Sequence, residues 1–317
     1  MIASIMEERE QKAYAKFTVR MAVNLAAPHT WPAAIMPTLI AVSAAAAVGP
    51  LSVTMCIALL VIVVLMQSAV NTFNDYYDFV KGSDTDEDYV DPSDAVLVYN
   101  NVNPKAALRL AIGFLAVAFV LGIYAIAVAG IIPLIIALVG ALFVVLYSAG
   151  KSPISYLPLG ELVSGVVMGG LIPLAVYQVL TGLLDFRVLV WAVPTIIGVA
   201  LIMFTNNTCD IERDIPSGRK TLPVLLGRKR AVFWYRTALL VWVVAIVAIV
   251  AVWFTPGLVV MPFMLLASYP LLKALFSNSF TPERRLQAMP QILSVNIALG
   301  AFYAAAMLAA SQVTLVV

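Results

Sequence analysis

Long apolar stretches recur along almost the whole chain and alternate with short polar segments. A helix that crosses a bilayer needs about 20 mainly apolar residues, and most of the stretches reach that length. Length and composition therefore predict membrane-spanning α-helices rather than the core of a soluble domain. The nine predicted spans are 29–48, 52–79, 105–128, 131–149, 158–181, 188–209, 231–253, 256–276 and 288–313.

The composition favours a single helical bundle. Of the 317 residues, 62% are hydrophobic and only 11% are charged, and the mean hydropathy is +0.99. Because this leaves no room for a separate soluble domain, we expect an all-α membrane protein with nine transmembrane helices over residues 23–317. Residues 1–22 mix Lys and Glu with apolar residues, which is typical of an interfacial segment rather than a signal peptide.

Basic residues fall almost entirely on one side of this arrangement. Arg187 alone among the 19 Lys and Arg residues lies on the side opposite the N-terminus. Because cytoplasmic loops are enriched in Lys and Arg, the N-terminus is predicted to be cytoplasmic. An odd number of spans then places the C-terminus on the opposite side of the membrane.

Acidic residues form two clusters, each directly after an apolar stretch and both on the predicted cytoplasmic side. Eight of the 17 acids lie between positions 75 and 94, and a second group lies at 210–214. If the second helix continues into the first cluster, Asn71, Asp75 and Asp78 share one face. In the second cluster, residues 206, 210 and 214 repeat the four-residue spacing. Like charges on one face at membrane depth are costly unless a cation binds them.

Carboxylate and carboxamide oxygens suit a hard cation. Mg²⁺ is usually held by one or two carboxylates together with substrate phosphates. Two such faces on one side of a membrane can therefore clamp a diphosphate through Mg²⁺. Solvated helix ends are the alternative interpretation, which we favour for the loop acids at 86–91. The repeated chemistry argues against it for the two helix ends.

The motifs resemble those of the UbiA superfamily of intramembrane prenyltransferases, in particular its menaquinone branch. The likeness covers essentially the whole chain. The first motif runs from Asn74 to Asp84 and reads NDYYDFVKGSD, and the second runs from Asn206 to Asp214 and reads NNTCDIERD. Shorter agreements are the PHT run at 28–30 and the PLGE run at 158–161.

The resemblance implies nine helices around a central cavity capped by cytoplasmic loops, in the plasma membrane of a prokaryote. It also implies Mg²⁺-dependent transfer of a polyprenyl group to an aromatic acceptor, 1,4-dihydroxy-2-naphthoate, which loses its carboxylate. The expected partners are polyprenyl diphosphate, this acceptor and membrane lipids, with no nucleic acid.

The chain departs from the family at two places. Ala27 stands where Arg is usual, and residues 91–95 lack the family's basic turn.

On this basis each candidate residue receives a role. The predicted Mg²⁺ ligands are Asp75, Asp78, Asp84, Asp210 and Asp214, and Asp78 and Asp210 also count as catalytic. The predicted substrate-binding residues are Asn71, Asn74, Lys81, Lys151, Glu161, Asn206, Arg219 and Lys220. Tyr147 is predicted to shield an allyl cation or bond to the diphosphate. Interfacial anchoring is the alternative for Tyr147 and the basic residues, as is a favourable helix-start position for Glu161.

Other classes of protein remain as alternatives. A transporter would place charged residues near the middle of several helices, whereas here the acids cluster at one surface. A phosphoalcohol transferase would carry an Asp-Gly-x-x-Ala-Arg run, which the sequence lacks. A non-catalytic lipid-binding relative, or a prenyltransferase for another quinone precursor, a tetrapyrrole or a glycerol phosphate lipid, also fits the motifs.

Overall fold

A computed structural model describes residues 14–81, 96–148, 153–311 and 313–316, without the side chains at positions 78, 81, 98, 144 and 148. The described part is a bundle of α-helices joined by short turns. Its helices are α1 (Val19–Ala26), α2 (Pro32–Ala46), α3 (Val53–Lys81), α4 (Val96–Tyr99), α5 (Pro104–Ala129), α6 (Ile132–Ser148), α7 (Gly160–Val166), α8 (Ile172–Thr181), α9 (Arg187–Trp191), α10 (Val193–Cys209), α11 (Ile211–Asp214), α12 (Leu222–Leu226), α13 (Arg228–Trp253), α14 (Met261–Phe276) and α15 (Arg285–Ala309). Two short strands, β1 (Leu51–Ser52) and β2 (Leu315–Val316), pair in parallel.

The apolar helices coincide with the predicted spans. Six helical segments in the described ranges are long and apolar enough to cross a membrane, which fits an integral membrane protein. Three shorter apolar helices, α2, α6 and α10, lie within the three remaining predicted spans. Because these are shorter than about 20 residues, the count of nine spans stays a prediction.

Two local features were absent from the prediction. A π-helical turn at Val167–Leu171 separates α7 from α8 within the predicted span 158–181. Such turns accommodate one extra residue in a helix and often occur at functional sites. The other feature is the two-residue sheet, which has no signature in a sequence dominated by helical stretches.

The two ends of the described chain lie at opposite ends of the bundle. Leu25 at the end of α1 packs with Val96, Leu97 and Val102, and Phe79 in the last turns of α3 packs against this cluster. Strand β2 instead pairs with β1, which directly precedes the first residue of α3. Since a helix rises about 1.5 Å per residue, the 29 residues of α3 separate these ends by about 43 Å.

Small residues let α7 and its π-helical turn approach α10 closely. A Cβ atom at Gly165 would lie 2.6 Å from the Ile196 carbonyl oxygen, and one at Gly169 would lie 2.5 Å from the Ile196 nitrogen. Only glycine fits at such contacts between membrane helices. The close packing brings the start of α7 beside the end of α10, where the second motif begins.

Candidate active site

A polar cavity of about 240 Å³ lies at the end of the bundle where α3 and α10 finish. Its walls come from the turn before α2, the end of α3, the end of α10 and the start of α15. Its polar lining includes Gln67, Asn71, Asn74, Asp75, Tyr147, Asn206, Asn207, Asp210, Arg213, Arg219 and Arg285. The structure thus brings together residues of both motifs, which are far apart in the sequence.

The first motif face is formed by α3, which continues through Lys81 as the spacing argument requires. Asp75 is nearly buried, and its Oδ2 accepts a hydrogen bond of 3.1 Å from the Val96 backbone nitrogen. The Asn71 amide donates to Thr30 Oγ1 at 2.7 Å and to the Ala26 carbonyl at 3.1 Å. Gln67 donates to Asn71 Oδ1 at 3.3 Å. Asn71 is therefore held by neutral partners.

The second motif face begins in α10, which ends at Cys209. Backbone hydrogen bonds from Asp210 to Asn206 and from Asp214 to Asp210 preserve the four-residue register across this break. Asn207 also lines the cavity, and its amide donates to Glu161 Oε1 at 2.8 Å. Glu161 is buried behind Asn207, in the first turn of α7, and it does not itself line the cavity.

Arg285, the first residue of α15, reaches into this second face. Its Nη2 donates to Asn206 Oδ1 at 2.6 Å, and its Nε lies 3.2 Å from Asp210 Oδ1. In the sequence, Arg285 is one of many basic residues on the predicted cytoplasmic side. A pairing across 79 positions has no local signature. The one available signal was a pair of arginines directly before the last apolar stretch.

Asp214 lies outside the cavity, beneath the turn that follows α11. It is 1% exposed, and its carboxylate accepts from Thr221 Oγ1 at 3.2 Å and lies 3.8 Å from Arg219 Nη1. Burial raises the pKa of Asp214 to about 6, against the opposing effect of the Arg219 guanidinium. Arg219 also stacks over the Tyr156 ring, with 4.8 Å between Cζ and the ring centroid.

The remaining predicted residues are distributed as follows. Tyr147 lines the cavity near Gly160, since a Cβ there would lie 3.6 Å from Tyr147 Oη. Lys220 is exposed, outside the lining, and donates its backbone N–H to the Tyr156 carbonyl. Asp78 and Lys81 are described by their backbone alone, and Asp84 and Lys151 lie outside the described residues.

A second, apolar cavity of about 370 Å³ adjoins the polar one. It lies between α3, α5, α6 and the helical segment 167–179, and its lining includes Leu59, Leu115 and Phe119. Gln67 and Met168 line both cavities. The two spaces therefore meet near the middle of α3, one polar and one suited to a hydrocarbon chain.

The donor chemistry of the polar cavity fits Mg²⁺. Among the described residues no three His, Cys, Asp or Glu side chains are close enough to hold a metal by themselves. Mg²⁺ does not need such a cage, because it retains waters and takes phosphate oxygens of a substrate. Asp75 and Asp210, with the carboxamides beside them, offer the hard oxygen ligands that it prefers.

An apolar helical bundle with this polar site at one end defines a class of integral membrane enzymes that handle amphiphilic substrates. The sequence profile of the UbiA prenyltransferase family matches residues 34–298. The chain belongs to this family and is a prenyltransferase.

Two curated relatives are similar over most of their length. The 1,4-dihydroxy-2-naphthoate octaprenyltransferase of Bacillus subtilis is 35% identical over 71% of this chain and 72% of its own. The enzyme of that name from Mycobacterium tuberculosis is 32% identical over 78% and 85%, respectively.

Solved structures share the fold. An apo UbiA homolog from Aeropyrum pernix aligns with a TM-score of 0.64 at 20% identity, covering 85% of this chain and 96% of its own. A UbiA homolog from Archaeoglobus fulgidus, bound to DMAPP and Mg²⁺, aligns with a TM-score of 0.58 at 17% identity, covering 90% and 99%.

Proposed function

We propose that the chain catalyses Mg²⁺-dependent transfer of a polyprenyl group from an isoprenyl diphosphate to 1,4-dihydroxy-2-naphthoate, in menaquinone biosynthesis. One observation carries this proposal. The polar cavity lined by both motifs adjoins an apolar cavity, and Gln67 and Met168 line both. The names of the Bacillus and Mycobacterium relatives support the acceptor, and the DMAPP and Mg²⁺ bound to the Archaeoglobus homolog support the donor and the metal.

The donor would lie across both cavities. Its diphosphate would occupy the polar cavity, and its hydrocarbon tail would follow the apolar cavity between α3, α5 and α6. Burial of each CH₂ group contributes about 0.8 kcal/mol, so the tail supplies much of the affinity. This placement would put the allylic carbon near Gln67 and Met168, in the cavity that Tyr147 also lines.

The reaction breaks the allylic C–O bond, and the diphosphate leaves with the electron pair. Asp75 and Asp210 would hold Mg²⁺, together with Asp78 and Asp84 as predicted from the motifs. Asp214 lies outside the cavity lining, so it would have to leave Thr221 and Arg219 to join them. When bound, Mg²⁺ supplies positive charge that stabilises the leaving diphosphate. Asn71, Asn74 and Asn206 line the cavity and are proposed to help bind the metal and the diphosphate. Arg219, Lys220, Lys81 and Lys151 are proposed to contribute positive charge to the leaving group.

The remaining steps involve the aromatic acceptor. Tyr147 faces the cavity and is proposed to shield the allyl cation from water. The ring carbon that bears the carboxylate attacks the cation and forms the new C–C bond. The carboxylate then leaves as CO₂, and its bonding electrons restore the aromatic ring. Glu161 is proposed to orient the site through its hydrogen bond with Asn207.

We further propose that α2, α6 and α10 also cross the membrane, which gives nine spans. The opposite positions of the two ends of the described chain support an odd number. The excess of basic residues then places the N-terminus and the polar cavity in the cytoplasm.

The experiment is an assay of the purified protein in lipid nanodiscs with radiolabelled polyprenyl diphosphate and a panel of aromatic acceptors. We expect a prenylated naphthoate-derived product that requires Mg²⁺ and is lost in Asp75→Ala and Asp210→Ala. Asp185→Ala, at the other end of the bundle beside Arg187, is the matched control and should behave as wild type. Activity that survives in both motif variants, or the absence of diphosphate release with every acceptor, contradicts the proposal.

The apolar cavity permits a separate test of donor placement. Gly122 lines this cavity, whereas Gly113 on the same helix does not, and a Cβ at either position meets no atom within 4 Å. Gly122→Phe should lower the use of a long polyprenyl donor but spare dimethylallyl diphosphate. Gly113→Phe should leave both donors unaffected. An equal effect of the two substitutions would place the tail elsewhere.

A further inference from the structure

The start of α15 contributes a guanidinium to the polar cavity that the motifs do not account for. Arg285 is 8% exposed, although it follows directly on the exposed turn Pro282–Arg284. Burial of a charge is costly unless partners surround it, and an arginine side chain stays protonated. The position of this side chain therefore depends on what it contacts.

Its guanidinium contacts two oxygens of the second motif. The guanidinium reaches Asn206 Oδ1 at 2.6 Å and Asp210 Oδ1 at 3.2 Å, so one fork spans both side chains. These are oxygens that the proposed function assigns to Mg²⁺ and its immediate surroundings. The guanidinium and a metal ion would compete for the same lone pairs of Asn206 Oδ1 and Asp210 Oδ1. Whatever binds there must displace Arg285 or share Asp210 with it.

Neighbouring cations are placed differently. Arg219 stacks on Tyr156 and lies near Asp214, which is outside the cavity lining. Arg228 donates to Glu212 and to the Thr208 carbonyl, and it does not line the cavity. Arg213 and Arg219 also line the cavity, and Arg285 adds direct contacts with the cavity-lining oxygens of Asn206 and Asp210.

We propose that Arg285 is a diphosphate-binding residue that also serves as the counter-ion of Asp210 in the substrate-free enzyme. Without substrate, it neutralises Asp210 and fixes the Asn206 carboxamide. With metal and diphosphate bound, Asp210 would hold the metal, and the guanidinium would turn to the diphosphate oxygens, which suit its planar fork. Arg285 would thereby face a negative group with and without ligand. This inference rests on the proposed function.

A purely structural role predicts a different pattern of binding. If Arg285 only anchored α15, its loss would loosen the second motif and weaken both metal and diphosphate binding. As a counter-ion it competes with the metal, so its loss should strengthen binding of the metal alone. As a diphosphate ligand, its loss should weaken diphosphate binding. The two measurements must therefore move in opposite directions.

The test uses full-length Arg285→Gln in nanodiscs. Mn²⁺ binding without diphosphate is followed by electron paramagnetic resonance, and Mg²⁺–pyrophosphate binding by calorimetry. We expect Mn²⁺ to bind severalfold more tightly and pyrophosphate about tenfold to a hundredfold more weakly, as for loss of a charge-assisted hydrogen bond. Arg284→Gln is the matched control, since Arg284 is exposed and donates to Gln287. Both affinities should be unchanged there.

Mn²⁺ binding that is unchanged or weaker in Arg285→Gln overturns the inference, as does unchanged pyrophosphate binding. If Arg285→Gln does not fold, both measurements are made on Arg285→Lys instead. A lysine keeps the charge but not the fork, so smaller changes in the same directions are expected.

Parallel assays of prenyl transfer separate this inference from the proposed function. An inactive wild-type enzyme refutes the function, whereas an active wild type with unaltered binding in both Arg285 variants refutes only the inference.

Discussion

The two motif faces of the polar cavity carry the same residue pair but hold it in different ways. Asn71 and Asp75 on α3 correspond in spacing to Asn206 and Asp210 at the end of α10. Asn71 is fixed by Thr30, Gln67 and the Ala26 carbonyl, which are all neutral. Asn206 is fixed by a guanidinium. The first carboxamide can therefore keep its partners when a charged ligand enters, whereas the second must exchange a charged one.

The largest expected effect tests whether the two faces act on one ligand. Asp75→Ala and Asp210→Ala should each lower kcat by about 10²–10³-fold, because each removes electrostatic stabilisation of the same leaving group. Groups that act as a unit are not additive, so the double variant should be little worse than either single variant. Losses that multiply in the double variant would show that the faces work independently.

A second effect concerns stability and is specific to the second face. Asp210→Asn leaves the Arg285 guanidinium without its carboxylate, which should lower the free energy of unfolding by about 1–3 kcal/mol. Adding Arg285→Gln removes the charge that has lost this carboxylate and should recover most of the loss. Reversible unfolding in SDS measures both variants. A double variant that is less stable than Asp210→Asn would argue against this charge pairing.

A third effect tests how the second face is supported from behind. Glu161→Leu removes the acceptor for the Asn207 amide and should lower the rate of prenyl transfer about tenfold, as for loss of a group that orients a metal site. Glu161→Gln retains an acceptor oxygen and should stay within about threefold of wild type. Equal losses in the two variants would indicate that the charge of Glu161 matters rather than its hydrogen bond.

The smallest effect is expected on the first face. Thr30→Val removes one of the two acceptors of the Asn71 amide and leaves the Ala26 carbonyl in place. A lost neutral hydrogen bond contributes about 1 kcal/mol, so the catalytic rate should fall by fivefold or less, about the factor this energy allows. Thr30→Ser keeps the hydroxyl and is the control. A loss as large as that of Asp75→Ala would mean that the two faces are equally sensitive.

Much of the fold followed from the sequence, because apolar length is a strong signal in membrane proteins. Each predicted span overlaps an apolar helix, and α3 continues through the first motif, which was the condition for Asn71 and Asp75 to share a face. The π-helical turn at Val167–Leu171 was not predicted, because it depends on contact between Gly169 and Ile196 on another helix.

The site was predictable only in part. Spacing within one helix indicated which acids share a face, so Asp75 and Asp210 were named as candidates. Asp214 shares the spacing, but α10 ends at Cys209, before both acids, and Asp214 lies outside the cavity lining. Pairings across the fold, such as Arg285 with Asn206 and Glu161 with Asn207, join residues 79 and 46 positions apart. A single sequence has no pattern that reveals such contacts.

The central claim is that both motif faces hold one metal-bound diphosphate between them. Calorimetric titration of Mg²⁺–pyrophosphate into the wild type, Asp75→Asn and Asp210→Asn tests it most directly, because the stoichiometry is measured as well as the affinity. The account predicts one ligand per chain in the wild type and loss of that binding in each variant. Two ligands per chain in the wild type, or one retained at normal affinity in either variant, would contradict it.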